Sequence, residues 1–371
     1  MGEGHQKTLD ELAGKNRLRA LAPRAGLDFT SNDYLGLTES QALKDAVSAA
    51  LARGVPVGAG GSRLLRGNHP EHEALEEEAA KFFHAEAVLY FPTGFAANAA
   101  LIATLPRGGD LLIHDELIHA SVRDGLGRVP VAGTAHNDVG AIEHLIKHWR
   151  AGGGKGQIWI AAETLYSMDG DRAPLADLVA LASRHDAMLL LDEAHATGLY
   201  GPQGRGLAAA FEGAPNIICL HTCGKALGAM GGLITLPKQL RDFMVNRARS
   251  FIYSTAPSPL MAAAVRASLK IVADADAERA RLQELVAHFG AALKEKTKIE
   301  PSGSPIQPVL LGADERAVKA ADALKARGYD IRAIRPPTVL EDTARLRIAI
   351  TLHADAAMLG RLAADLAEIC A

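Results

Sequence analysis

Leu189–Gly198 reads LLLDEAHATG, an unbroken apolar run that ends in two carboxylates and a histidine. A strand covered on both faces is apolar throughout, and such strands belong to parallel sheets flanked by helices. The stretch AMLLLDEA (Ala187–Ala194) fits that pattern. Similar runs recur on either side of it: AVLYF (Ala87–Phe91), DLLIHD (Asp110–Asp115), IWIAAE (Ile158–Glu163), IICLHT (Ile217–Thr222) and GLITL (Gly232–Leu236). Between them, HEALEEEAAKFF, AIEHLIKHWR and PLADLVALASRH carry helical periodicity. The alternation predicts an α/β domain. Nearly every strand runs into a polar cluster, and open α/β sheets bind ligands beyond the carboxyl ends of their strands. After about residue 265 the texture changes to Ala-rich helices such as AERARLQELVAHFGAALKEK, followed by the strand-like PIQPVLLG and RLRIAI. The expected organisation is an N-terminal segment (1–37), a large domain (38–265) and a smaller C-terminal α+β domain (266–371).

At 371 residues the chain has ample core to fold without staples. Its net charge of -3 gives no electrostatic reason to expect nucleic acid or a membrane surface as partner. Three cysteines, Cys219, Cys223 and Cys370, are too few and too unevenly placed for a disulfide framework or a four-ligand zinc site, which suits a reducing cytoplasm. The polar N-terminus lacks the apolar segment of a secretion signal, and no run approaches a membrane span, so a soluble, unprocessed protein is expected.

Asp192-Glu193-Ala194-His195 also spells the acidic box with which helicases hold magnesium. That chemistry needs an upstream Gly-x-x-x-x-Gly-Lys-Ser/Thr loop to cradle a nucleotide. No such loop exists. Lys155 follows Gly154, but Trp149 and Gly156 occupy the other two positions; Lys225 follows Gly224, with Cys219 and Ala226 where glycine and a hydroxyl belong. A metal site around His195 lacks an evident third ligand, so no metal is expected.

A different pairing fits better. Asp192 ends a strand, His195 follows it, and Lys225 lies one strand-loop step further on, in HTCGKALGAMGG. A buried carboxylate can pair with a protonated pyridine nitrogen and a lysine can condense with an aldehyde, the two contacts that pyridoxal phosphate chemistry most needs. Gly224 and Gly228 beside Lys225 let a flat ring approach the backbone. FPTGFAANAALIATL supplies a strand, a turn at Pro92-Thr93-Gly94 and a small-residue helix whose free amides suit a phosphate, with Thr222 as a further hydroxyl donor.

SNDYLGL, GSRLLRGNHPEHEALE, FPTGFAANAALIATL, DELIHASVRDG, ETLYSMDGDRAPL, LLLDEAHATGLYGPQGRGL and HTCGKALGAMGG occur in the order and approximate spacing of the α-oxoamine synthases, which the chain resembles from about residue 28 onward. The resemblance implies a fold type I pyridoxal 5′-phosphate transferase, with a mostly parallel seven-stranded sheet covered by helices and a smaller α+β domain. It implies Lys225 as the cofactor-bound lysine and proton carrier, Asp192 at the pyridine nitrogen, His195 at the phenolic oxygen and His119 stacked on the ring, with Ser167 adjacent. Gly94 and Phe95 would offer amides to the phosphate, and Thr222 its hydroxyl. Glu163 ends its strand facing the same region, where an ion pair or hydrogen bond is an equally ordinary role.

Arg347 is the implied grip on the substrate carboxylate, and Arg335 and Thr338 border the acyl thioester. Asn32 and Tyr34 border the substrate cleft, or simply pack. Arg17 and Arg19 compete for a further substrate contact. RSFIYSTAPSP resembles a segment that crosses a homodimer interface, with Ser254 or Thr255 reaching the partner's phosphate. Gly58–Arg63 through Gly67-Asn68 look most like members that condense L-alanine with pimeloyl-CoA or pimeloyl-acyl carrier protein on the way to biotin. The members that make aminolevulinate, aminoketobutyrate or ketosphinganine share the same blocks, and an aminotransferase of the same fold would share Lys225 and Asp192.

Overall fold

A computed structural model describes residues 2–127 and 129–370. The chain divides into two compact units. The larger comprises Leu35–Ser167 and Arg172–Arg279; the smaller takes the N-terminal residues through Tyr34, the short piece Met168–Asp171 and the chain from Ala280 onward. A boundary at residue 265 would cut the helix Pro259–Ala273, whose Leu260 and Ala263 pack on Ala50 and Val55 of the large unit. The chain therefore leaves that unit only after Arg279.

The large unit is built on seven strands: β1 (Ala87–Phe91), β2 (Leu111–Asp115), β3 (Val131–Thr134), β4 (Ile158–Glu163), β5 (Ala187–Asp192), β6 (Ile217–Thr222) and β7 (Gly232–Leu236). Their order across the sheet is β1-β7-β6-β5-β4-β2-β3. β7 alone runs in the direction opposite to the other six strands. Six of these strands are legible as apolar runs. The seventh, VAGT, is partly exposed at the sheet edge and carries a glycine, so it has no apolar run to read.

Alternation along β5 explains both faces of the sheet. Leu190 packs with Leu89, Leu101, Trp159 and Ile218, whereas Leu189 and Leu191 pack with Ile146, Ile160 and Leu181 on the other side. The two acids beyond this run part in the same way. Asp192 accepts from Asn98 Nδ2 at 2.7 Å, on the face of the helix Gly94–Thr104. Glu193 is buried with its carboxylate taking the amides of Leu207 at 2.8 Å and Ala208 at 2.9 Å. Gly206 (φ +118) makes this possible, because a Cβ there would stand 1.8 Å from Glu193 Oε2. The pair thus serves two separate surroundings.

In the smaller unit, β8 (Ile306–Gly312), β9 (Arg332–Ile334) and β10 (Ala344–Ala349) form an antiparallel sheet with β10 in the centre. Leu27–Asp28 pairs in parallel with Tyr329–Asp330. The N-terminal residues form a helix, Glu3–Gly14, that buries no side chain. Among the described residues, no helix is long and apolar enough to cross a membrane.

Register places Glu163 of β4 directly beside Asp192 of β5. The Glu163 carboxyl is pushed up to about 8, first by burial and then by the charge of Asp192, against the pull of Lys225. In the unfolded chain it returns to the ordinary 4.5. Between those values the folded chain keeps a proton that the unfolded chain has released, so this group's contribution is full below the lower value and is lost as pH rises through the upper one. Thermal unfolding followed by circular dichroism should show the parent protein losing more Tm than Glu163→Gln between about pH 5 and about pH 8. Parallel Tm curves would show that Glu163 is ionised in the fold.

Candidate active site

The loop beyond β6 carries Lys225. It is closed by three backbone bonds: Cys223 N–H to Gly231 O (2.9 Å), Ala229 N–H to Cys223 O (2.9 Å) and Gly228 N–H to Lys225 O (2.8 Å). Gly228 adopts φ +61, and a Cβ there would stand 2.6 Å from the Leu37 Cβ, so only glycine lets the loop lie this close. The result is that Lys225 Nζ rests 2.7 Å from Nε2 of buried His195, on the turn that follows β5. Asp192 closes that strand. Its Oδ1 accepts from Ala194 N–H at 2.9 Å and its Oδ2 from Asn98 at 2.7 Å, so the carboxylate is fixed from both sides.

The helix Gly94–Thr104 begins beside this cluster. Thr93 caps it, taking Ala96 N–H on Oγ1 at 3.0 Å and Ala97 N–H on its carbonyl at 3.1 Å. The amides of Gly94 and Phe95 then lack helical acceptors, at the positive end of the helix dipole. A Cβ at Gly94 would stand 3.0 Å from Thr222 Oγ1, and one at Gly232 would stand 2.8 Å from the Gly94 Cα. Two glycines therefore bring a pair of amides and a hydroxyl together. That donor set suits a phosphate monoester, while the carboxylate and amine of Asp192 and Lys225 suit a pyridine aldehyde.

His119 caps the short helix Ala120–Asp124 and meets the ring of Phe95 edge-on at 6.4 Å between centroids. Its pKa is lowered by burial, with the Lys225 charge adding to this and Asp192 opposing it. Ser167 is buried, and its amide donates to Glu163 Oε2 at 3.0 Å. The other carboxyl oxygen of Glu163 is enclosed without a hydrogen-bond partner. Ser254 and Thr255 are both exposed.

The remaining candidates lie in the smaller unit. Arg347, on the central strand β10, is buried and donates to Asn32 Oδ1 at 2.9 Å; the Tyr34 hydroxyl donates to the same oxygen at 3.1 Å. Arg17 is consumed by ion pairs with Asp314 and Glu341, each at 2.5 Å. Arg19 instead donates weakly to Thr338 Oγ1 at 3.4 Å, and its charge, after burial, helps to lower the pKa of nearby Arg335. Arg335 itself donates to the Asn16 carbonyl.

Several supporting residues escaped the sequence reading. Asn98 is the one polar residue ahead of the final Thr104 in an otherwise apolar helix, a signal that was available; Ser121, in an ordinary polar context, gave none. His221 is enclosed between Thr197 Oγ1 and Glu212 Oε1, each at 2.8 Å, and Thr235 donates to the same Glu212 oxygen at 2.6 Å. These bonds tie the turn bearing His195 to β6 and β7.

Residues 24–366 match the family model described as aminotransferase class I and II. Among curated relatives, 8-amino-7-oxononanoate synthase of Chromobacterium violaceum is 40% identical over 95% of each chain, and that of Burkholderia thailandensis 43% identical over 91% of this chain and 87% of its own. A solved serine palmitoyltransferase from S. paucimobilis, with 26% identity, superposes with a TM-score of 0.89 over 99% of this chain and 97% of its own. The solved 8-amino-7-oxononanoate synthase from Francisella tularensis, also at 26% identity, gives 0.78 over 92% and 97%. The chain belongs to the aminotransferase class I and II family and, within it, to the α-oxoamine synthases, which are fold type I pyridoxal phosphate enzymes.

Proposed function

We propose that this protein condenses L-alanine with a pimeloyl thioester, releasing carbon dioxide and a thiol, to form 8-amino-7-oxononanoate for biotin biosynthesis. The observation that carries the chemistry is the 2.7 Å approach of Lys225 Nζ to His195 Nε2 beside the strand-end carboxylate of Asp192. The choice of substrates rests on relatives at about 40% identity that bear that name along nearly their full length. Pyridoxal 5′-phosphate, the family's cofactor, supplies an aldehyde for a primary amine and a protonated pyridine that accepts the electron pair of a carbanion.

The residues divide the work. Lys225 Nζ would hold the aldehyde and would also serve as the base and acid that removes and returns the proton at the substrate α-carbon. Asp192 would keep a proton on the pyridine nitrogen. His195 would hold the phenolic oxygen, with Ser167 nearby, and His119 would lie against the ring. The amides of Gly94 and Phe95, with the Thr222 hydroxyl, would take the phosphate. Arg347 grips the alanine carboxylate through its fork of donors, steadied by Asn32. Arg19, with no carboxylate partner among the described residues, serves the acyl substrate together with Arg335 and Thr338, whereas Arg17 is a structural cation.

The acyl donor is a thioester of coenzyme A or of acyl carrier protein. We assign the working form as a cytoplasmic homodimer, in which exposed Ser254 or Thr255 reaches the partner's phosphate. A second reading, condensation of L-serine with a long-chain thioester, draws on the higher TM-score to serine palmitoyltransferase. The greater sequence identity favours alanine and pimeloyl.

With L-alanine and pimeloyl-CoA, a thiol reagent should register free coenzyme A, and L-serine with palmitoyl-CoA should yield little. Pyruvate without thiol release would identify an aminotransferase instead. Lys225→Ala should lower kcat by at least about 10²–10⁴-fold, since a positioned acid–base group supplies that much. In steady-state assays Arg347→Ala should raise KM for L-alanine roughly 10- to 100-fold, the value of a charged hydrogen bond. An unchanged KM would remove Arg347 from the site.

A further inference from the structure

Asn98, Ser121 and His119 form a chain of contacts that begins at Asp192. Asn98 Nδ2 lies 2.7 Å from Asp192 Oδ2 and 3.0 Å from Ser121 Oγ, and Ser121 Oγ lies 2.8 Å from His119 Nδ1. Asn98 and Ser121 are both buried, so water does not offer these groups an alternative partner. The direction of every hydrogen bond follows from chemistry.

An ionised carboxylate only accepts, so the Asn98 amide must turn its NH₂ toward Asp192; the reverse flip would set two acceptors against each other. The same nitrogen has two protons, and the second is directed to Ser121 Oγ. Having accepted there, the serine hydroxyl has its own proton to place, and His119 Nδ1 is the acceptor within reach. The Ser121 backbone N–H also donates to Nδ1, at 3.2 Å. Two donors converge on one ring nitrogen, which cannot then carry a proton. The lowering of the His119 pKa by burial agrees with a neutral ring.

We infer that Asn98 and Ser121 are positioning residues: they form a one-way relay from Asp192 that locks His119 in the tautomer with Nδ1 as acceptor and the proton on Nε2. The relay gives the ring-nitrogen carboxylate and the ring-covering histidine a common support, through the first turn and a half of the helix that also cradles the phosphate. His119 is left with a single N–H, on Nε2, to offer a ligand. A ring free to exchange tautomers would present that donor only part of the time. The catalytic meaning rests on the proposed function; the tautomer itself does not.

The test is ¹⁵N NMR of the pyridoxal phosphate-loaded full-length protein labelled with ring-¹⁵N histidine, with the His119 signals assigned by their loss in His119→Asn. The expected spectrum at neutral pH shows an unprotonated Nδ1 and a protonated Nε2. Ser121→Ala should shift His119 toward a mixture of tautomers and lower kcat several-fold in thiol-release assays. Ser121→Thr, which keeps the hydroxyl, should restore both. A protonated Nδ1 in the unsubstituted protein overturns the inference, and so does a His119 signal that Ser121→Ala leaves unchanged. Should Ser121→Ala fail to fold, the spectrum of the unsubstituted protein still decides the matter. Because the tautomer is read without turnover, an inactive protein with Nε2–H would count against the proposed substrates and not against the relay.

Discussion

The parallel register of β4, β5 and β6 is the constraint on which the site depends. Glu163 and Asp192 are direct partners across the first pair, and Asp192 pairs with Leu220 across the second, so three strands end at nearly one level. Each delivers a polar group to the same edge, and the loops beyond add His195 and Lys225. No single motif builds this arrangement. It arises because buried parallel strands of similar length stop together and the polar residues that close them emerge side by side.

Charge is managed tightly there. Asp192 is held by an amide on each oxygen, and burial keeps its neighbour Glu163 protonated well above the ordinary carboxyl range. Two buried neighbouring carboxyls thus do not both carry a charge, because each disfavours ionisation of the other. Glu193 is turned to the other face of the sheet by strand alternation and bonds the backbone beyond Gly206. The tetrapeptide that resembles a magnesium-binding box thus contains two acids with different partners, Asn98 and Ala194 for one and Leu207 and Ala208 for the other.

Much of the fold was legible because buried strands are apolar throughout: the runs ending at Phe91, Glu163, Thr222 and Leu236 coincide with strand ends in the structure. Val131–Thr134 was not, since an exposed edge strand needs no such run. The limit of the large unit was misplaced because the helix Pro259–Ala273 has the same Ala-rich texture as those after it, and only its packing on Ala50 and Val55 assigns it. At the site, Asp192, His195 and Lys225 stood out as chemically unusual groups at strand ends. Asn98 and Ser121 did not, because a supporting role depends on which atoms meet in space. For the same reason the ion pairs of Arg17 with Asp314 and Glu341, far away in the chain, could not be read from the sequence.

The central claim is that Lys225 is the covalent anchor of pyridoxal phosphate in a pocket whose far end is Asp192. Borohydride reduction of the cofactor-loaded protein, followed by digestion and mass spectrometry, tests it most directly. The account predicts a phosphopyridoxyl mass on the peptide bearing Lys225 and on no other lysine. Label on other lysines, with Lys225 unmodified, would contradict it.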